Sequence, residues 1–149
     1  MPYSVLIFAY RKPGTTPEQF KAHYEGVHVP LIRKLTGANF PLSHTRHYLH
    51  RTTQHQHQQQ QQQQEAEGKG NTARNPHTPA TVLIGTQAEF DYDAFAELTF
   101  EDEAAFQRFF ALTQQQPENA EQIAADEELF LDRARMTVVV KGETRVTER

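Results

Sequence analysis

The chain has 149 residues, a length typical of one domain with a buried core, and a polyglutamine tract lowers its hydrophobic content to 37%. Its 19 acidic and 15 basic side chains give a formal charge of −4 without a basic stripe, so no nucleic-acid partner is expected. The sequence has no cysteine for disulfides or thiolate sites, and its N-terminal apolar run is too short for a signal peptide or a membrane span, so we expect a soluble cytoplasmic protein.

The first predicted element is a strand over residues 3–11. Its sequence, YSVLIFAYR, is apolar on both alternating faces and ends at the turn sequence Lys12-Pro13-Gly14. A strand that is apolar on both faces fits the middle of a sheet covered on each side.

A helix is predicted next, over residues 15–36. Thr16 is a good N-cap, Pro17 suits the first helical position, and Gln19 stands at the capping-box spacing. The apolar residues step by three and four, as on a helix that lies on a sheet: Phe20, Tyr24, Val27 and Leu31.

This helix is predicted to break between Gly26 and Pro30. A proline is disfavoured in a helix interior, and the residue before it avoids the helical region, so Val29 is expected in a turn. His28 then lies at a kink, where its side chain can point away from the main packing face. Tyr24 precedes it by four residues, near the same face.

A second strand is predicted over residues 42–52, and a long low-complexity segment follows it. The alternation of the strand places His44, Arg46 and Tyr48 on one face. Residues 54–80 contain a polyglutamine tract and lack apolar periodicity. They predict a disordered insertion within a single domain over residues 1–149, and the histidines in the glutamine tract are interpreted as compositional rather than metal-binding.

Regular structure is predicted to return after the insertion. Along one strand, Ala94, Ala96 and Leu98 share a face, and Glu97 lies on the other. The predicted elements are an edge strand at 81–85, a strand at 91–100, a helix at 101–113, a linker at 114–117, a helix at 118–134 and a strand at 135–142.

The order of these elements predicts an α+β fold of the ferredoxin-like β-α-β-β-α-β type, with an antiparallel sheet covered by helices on one face. The uncovered face carries Phe95 and apolar residues of the first strand. A symmetric homodimer that closes two sheets over a shared cavity would cover this face and provide a ligand site.

Three segments together resemble the EthD domain family: FKAHY at 20–24, HVPL at 28–31 and DEELFLD at 126–132. The resemblance covers residues 3–52 and 82–140, and it implies a dimeric α+β barrel. The flanking sequences look most like fungal members from aromatic polyketide pathways, which are small cofactor-free lyases. The resemblance therefore implies an aromatic polyketide substrate, and either decarboxylation of an atrochrysone-carboxylic-acid-type intermediate or dehydration of a naphthopyrone-type hemiketal.

Both reactions move protons, and an imidazole can act as acid or base near neutral pH. His28 is the first catalytic candidate, and its alternative role is to bond the free carbonyls of a broken helix. Tyr24, otherwise a core residue, could donate to a substrate oxygen, and His44 could enter from the opposite wall. Glu97 is the remaining candidate: a buried acid there would have a raised pKa or a cation partner, and its alternative is a salt bridge with Arg46.

Several other interpretations remain open. The sequence has no nucleotide- or flavin-binding glycine motif, so no cofactor is expected. A metal enzyme could use His28, His44 and Glu97 as two imidazoles and one carboxylate, although their spacing is not diagnostic. A cofactor-independent anthrone-type monooxygenase and a non-catalytic binder of a pathway intermediate are further alternatives. The acidic run 126–128 is expected to cap its helix or to form structural pairs.

Overall fold

The computed structural model describes residues 1–52 and 77–149, so the predicted insertion lies outside the described residues except for residues 77–80. Eight regular elements follow one another within the described chain: β1 (Tyr3–Ala9), α1 (Pro17–His23), α2 (Val29–Thr36), β2 (Ser43–Tyr48), β3 (Ala94–Phe100), α3 (Glu103–Phe110), α4 (Pro117–Phe130) and β4 (Thr137–Val140). They form an α+β fold with one antiparallel sheet in the order β2-β3-β1-β4. The predicted ferredoxin-like β-α-β-β-α-β order is confirmed.

The core lies between the sheet and the helices that cover one of its faces. Ala9 and Ala94 pair across β1 and β3, and both are buried. Their small side chains leave room for two fully buried rings, Phe20 of α1 and Phe130 of α4, whose centroids lie 5.8 Å apart. Burial of one such ring contributes about 1.5–3 kcal/mol to the free energy of unfolding, so this contact is important for the packing of α1 against α4.

The predicted break before Pro30 is wrong, because the helical path continues through a π turn. Residues Tyr24–His28 form this π turn, which ends where the Val29 N–H bonds the Tyr24 carbonyl five residues back. Val29 itself is helical, with φ −59° and ψ −45°, and it begins α2. Because the helical path widens into the π turn before α2, Pro30 lies in the first turn of α2 rather than in a helix interior. Its missing N–H is tolerated at that position.

Two further boundaries differ from the prediction. Residues 81–85 form a bend and not a strand: Gly85 has φ +110°, and the capping box between Thr86 and Glu89 starts a 3₁₀ turn over Gln87–Phe90. The linker expected at 114–117 is mostly helical, because a second π turn over Ala111–Gln115 extends α3 almost to the start of α4.

The described segments on either side of residues 53–76 lie side by side. The Thr52 N–H donates to the Pro79 carbonyl at 3.1 Å, and the Thr81 N–H donates to the His50 carbonyl at 2.9 Å. Arg51 and Ala80 form an antiparallel bridge between these bonds. Residues 50–52 and 79–81 are therefore neighbours beyond the end of β2.

Candidate active site

A cavity of about 260 Å³ lies between the helices and the covered face of the sheet, within one chain. Its walls are mainly apolar and include Leu98 of β3 and Phe106 and Phe109 of α3. Its volume is near the ~300 Å³ lower end of the range for small-molecule pockets. This cavity lies on the helical side of the sheet, where π-turn and α4 side chains meet it, and the shared cavity between two sheets of a dimer stays a prediction.

Three of the four predicted catalytic residues line this cavity: Tyr24, His28 and His44. Tyr24 and His28 come from the π turn, and His44 comes from β2 on the opposite wall. The ring centroids of Tyr24 and His28 lie 5.7 Å apart, and those of Tyr24 and His44 lie 5.9 Å apart. The sequence therefore identified residues that the fold brings together from two separate elements.

A carboxylate forms a hydrogen bond with the His28 imidazole. Its Nδ1 lies 2.8 Å from Oδ2 of Asp126 on α4, and its ring packs against Phe130 with centroids 4.9 Å apart. An Nδ1–H that donates to the carboxylate leaves Nε2 as the nitrogen available to a ligand. His28 thus bonds a side chain and not the free helical carbonyls considered as its alternative role, and the pair can act as an oriented acid or base.

Asp126 is a buried residue that binds two histidines at once. Its other oxygen, Oδ1, lies 2.8 Å from Nε2 of His23, and the His23 ring stacks on Phe130 at 4.6 Å. Two imidazoles on the two oxygens fix the orientation of the carboxylate, and the orientation of His28 follows from it.

Sequence reasoning assigned Asp126 a capping or structural pairing role and missed this contact. A signal was present in the spacing, because the buried positions of α4 recur at intervals of three and four: Asn119, Ile123, Asp126, Glu127 and Phe130. Acids at these positions lie on the apolar face of their helix. Burial of an acid there costs free energy, so each such acid is expected to have a hydrogen-bonding partner or a functional role.

Tyr24 and His44 meet across the cavity. The Tyr24 hydroxyl lies 3.3 Å from Nε2 of His44, while Nδ1 of His44 is buried without a hydrogen-bond partner among the described residues. Burial, with smaller contributions from Arg46 and His28, lowers the pKa of His44 to about 4. Burial also raises the pKa of the Tyr24 phenol well above its usual value. At neutral pH the cavity therefore presents a neutral phenol and a neutral imidazole.

The free energy of unfolding is expected to fall as the pH falls from about 6.5 to about 4. Over this range His44 takes up a proton in the unfolded chain and not in the folded one, so its contribution is complete above pH 6.5 and lost towards pH 4. The loss is on the order of 2–3 kcal/mol from this group. Urea titrations across this range should give a shallower pH slope for His44→Gln than for the wild type. Parallel slopes would show that His44 does not titrate in this way.

A bidentate ion pair ties the π turn to β2. Both oxygens of Glu25 accept from Arg46, at 2.6 Å from Nε and 2.8 Å from the terminal nitrogen, and the Tyr48 hydroxyl donates to Glu25 at 2.7 Å. The hydrogen bond from Arg46 lowers the pKa of Glu25. This clamp holds the elements that carry Tyr24 and His44 in register, and it replaces the expected salt bridge between Arg46 and Glu97.

Glu97 does not join the cavity, because it lies on the other face of the sheet. It is opposite Leu6 and Thr45 in the strand register, and it pairs with Lys141. The hydrogen bond from Lys141 lowers the pKa of Glu97, so the expectation of a raised pKa is wrong and its cation partner is Lys141.

The position of Glu97 also rules out the metal set considered from the sequence. Glu97 is separated from His28 and His44 by the sheet, so these three side chains cannot bind one ion. Within residues 1–52 and 77–149, no three histidine or acidic side chains are placed to hold a metal ion.

The family model of the EthD domain matches residues 12–134. Similar folds include an ethyl tert-butyl ether D (EthD) family protein from Bacillus halodurans, 14% identical over 97% of this chain and 100% of that one, with a TM-score of 0.51. A protein of Arabidopsis thaliana is 15% identical over 98% of this chain and 99% of that one, with a TM-score of 0.53. No curated protein has a matching sequence. None of the described helices is long and apolar enough to cross a bilayer.

Proposed function

Because this chain belongs to the EthD domain family, we propose that it is a small enzyme and, more narrowly, a lyase that needs no cofactor. Its substrate would be an aromatic β-keto or β-hydroxy carboxylic acid, an intermediate in aromatic polyketide biosynthesis of the atrochrysone-carboxylic-acid type. The observation that carries this proposal is the His28–Asp126 pair at the wall of an apolar cavity. The resemblance of the flanking sequences to polyketide-pathway members supports the substrate class.

In decarboxylation, the bond between the α-carbon and the carboxylate breaks and carbon dioxide leaves. The electron pair stays on the substrate as an enolate, whose oxygen needs a hydrogen-bond donor. Tyr24 is protonated at neutral pH and is suited to this task. His28 Nε2–H would then deliver a proton to the α-carbon, and one proton from solvent would restore it after each turnover. The apolar walls favour the loss of a localised carboxylate charge, because they solvate it poorly.

Dehydration of a naphthopyrone-type hemiketal is the second candidate, and the neutral Tyr24–His44 pair favours it. In this reaction His28 Nε2 would remove the activated α-proton, and a hydroxyl would leave as water with a proton from the Tyr24 phenol. Both reactions require side chains in the cavity that exchange protons or hydrogen bonds with the substrate.

Mass spectrometry of the purified protein with the polyketide carboxylic acid and with the hemiketal separates the candidates. Loss of carbon dioxide supports the decarboxylase, and loss of water supports the dehydratase. Turnover that stops under strict anaerobiosis contradicts a lyase and indicates a cofactor-independent monooxygenase. Saturable binding without any product indicates a carrier for the intermediate.

Replacement of Asp126 by asparagine should lower kcat about 10²-fold with little change in KM. The amide can no longer accept from both His23 and His28, so the preferred tautomer and orientation of His28 are lost. Steady-state kinetics and a thermal unfolding curve measure the effect. Glu128→Gln, at an exposed position two residues along α4, is the matched control. A kcat within twofold of the wild type would contradict a positioning role for Asp126.

We also propose that the uncovered face of the sheet forms a symmetric homodimer. This face carries Leu6, Phe8, Phe95 and Val139, and Val139 is 52% exposed. Sedimentation should give a dimer for the wild type and a monomer for Phe95→Glu, because the interface would bury an unpaired carboxylate. Leu83→Glu, which changes an exposed side chain on the 81–85 bend, should remain dimeric. A monomeric wild type would disprove the assembly.

A further inference from the structure

Glu127 places a carboxylate in the wall of the cavity. It follows Asp126 on α4, is only 7% exposed and lines the cavity beside Tyr24 and His28. One oxygen, Oε2, accepts from Nε of Arg133 at 2.9 Å, and the Arg133 side chain is 44% exposed. The ion pair therefore holds Glu127 from the side of the solvent.

The second oxygen of Glu127 has no hydrogen-bond donor among the described residues. This oxygen is not among the fully buried polar atoms without a partner, so it keeps some accessible surface and can accept a hydrogen bond from water or a ligand. The Glu127 charge is also among the smaller causes, after burial, that raise the pKa of Tyr24, in keeping with a carboxylate close to the phenol. A ligand in the cavity thus meets an acceptor that the protein leaves open.

A carboxylate accepts hydrogen bonds and donates none, and this limits the ligand group that it can bind. A hydroxyl is a suitable partner. A methyl or ether group is not, and a ligand carboxylate would be repelled. A ligand ammonium could pair with Glu127, but the apolar walls, which include Phe106 and Phe109, disfavour burial of a second charge.

We propose that Glu127 is a specificity residue that accepts a hydrogen bond from a hydroxyl of an aromatic ligand. The cavity then selects phenols and enols over aromatic molecules of equal size that lack a hydroxyl. This inference rests on the proposed function for the aromatic nature of the ligand, and it does not depend on which reaction follows. The hydrogen bond also sets the orientation of the ligand in the cavity: its hydroxyl lies towards Glu127, and any carboxylate lies away from Glu127.

Isothermal titration with two probes tests the proposal without turnover. The probes are 2-naphthol and 2-methylnaphthalene, which differ by a hydroxyl in place of a methyl group. The wild type should bind 2-naphthol about tenfold or more tightly than 2-methylnaphthalene, as expected for a hydrogen bond to a charged acceptor. Glu127→Gln should reduce this preference about fivefold or more, and Glu127→Met should abolish it. Glu128→Gln removes a neighbouring charge that also pairs with Arg133, and it should leave the preference unchanged.

Thermal unfolding first identifies the variants that are folded, and either Glu127 variant is sufficient for the test. Equal affinity of the wild type for the two probes would overturn the proposal, as would a preference that persists in the Glu127 variants. A Glu127-dependent preference stands even if the protein shows no lyase activity. Lyase activity without the preference would overturn this inference and leave the proposed function intact.

Discussion

The His28→Asn variant is expected to lose about 10²–10⁴-fold in kcat while it remains folded. The asparagine amide can take the place of Nδ1 and donate to Asp126, so the buried carboxylate keeps both of its partners. What the variant lacks is Nε2, the ring nitrogen that is not bonded to Asp126. The substitution therefore removes the acid–base group with little change to the structural contact behind it.

Steady-state kinetics, together with circular dichroism and thermal unfolding, would measure this effect. His47→Asn is the control, because His47 stacks on Phe95 on the uncovered face, away from the cavity. Its kcat should match that of the wild type. Wild-type turnover by His28→Asn would leave His28 with a purely structural role as the partner of Asp126, and the catalytic assignment would be withdrawn.

The correctly predicted parts of the fold are those set by neighbours in the chain. The capping box between Thr16 and Gln19 spans four residues, and both of its hydrogen bonds are present. The alternation of β3 is likewise local, and it places Ala94, Ala96 and Leu98 on the buried face as expected. Such patterns show which side chains share a face, but they do not show which layer covers that face, and the structure places His44 on the side of the helices.

The failed predictions involve contacts between distant parts of the chain. The rule that the residue before a proline avoids the helical region placed Val29 in a turn, but Val29 is helical and follows a π turn. The pair between His28 and Asp126 joins residues 98 positions apart, and no local pattern encodes it. Glu97 was placed on the correct strand face, but only the register with β4 shows that Lys141 reaches it.

Asp93→Ala should destabilise the protein by about 3–5 kcal/mol, a large part of the ~5–15 kcal/mol stability of a typical domain. The side chain of Asp93 is 1% exposed, and its Oδ1 accepts from Arg11 at 2.6 Å and from Arg51 at 2.7 Å. Its Oδ2 accepts from the Arg11 main-chain N–H at 2.8 Å. Burial lowers the pKa of Arg51, and the Asp93 charge opposes this effect. Without the carboxylate, two largely buried guanidinium groups face each other without their shared counter-charge.

Urea denaturation would measure this loss, and Glu101→Ala, which removes an exposed acid, is the control, with an expected change within about 0.5 kcal/mol. The double variant Asp93→Ala, Arg51→Met should recover part of the stability, because it removes one of the two guanidinium charges that Asp93 binds. A loss below about 1 kcal/mol for Asp93→Ala would show that other contacts of Arg11 and Arg51 compensate the charge. If the double variant recovers stability, the loss in Asp93→Ala is due to the buried charge. The reason is that Arg51→Met adds no hydrogen bond in place of those that Asp93 made.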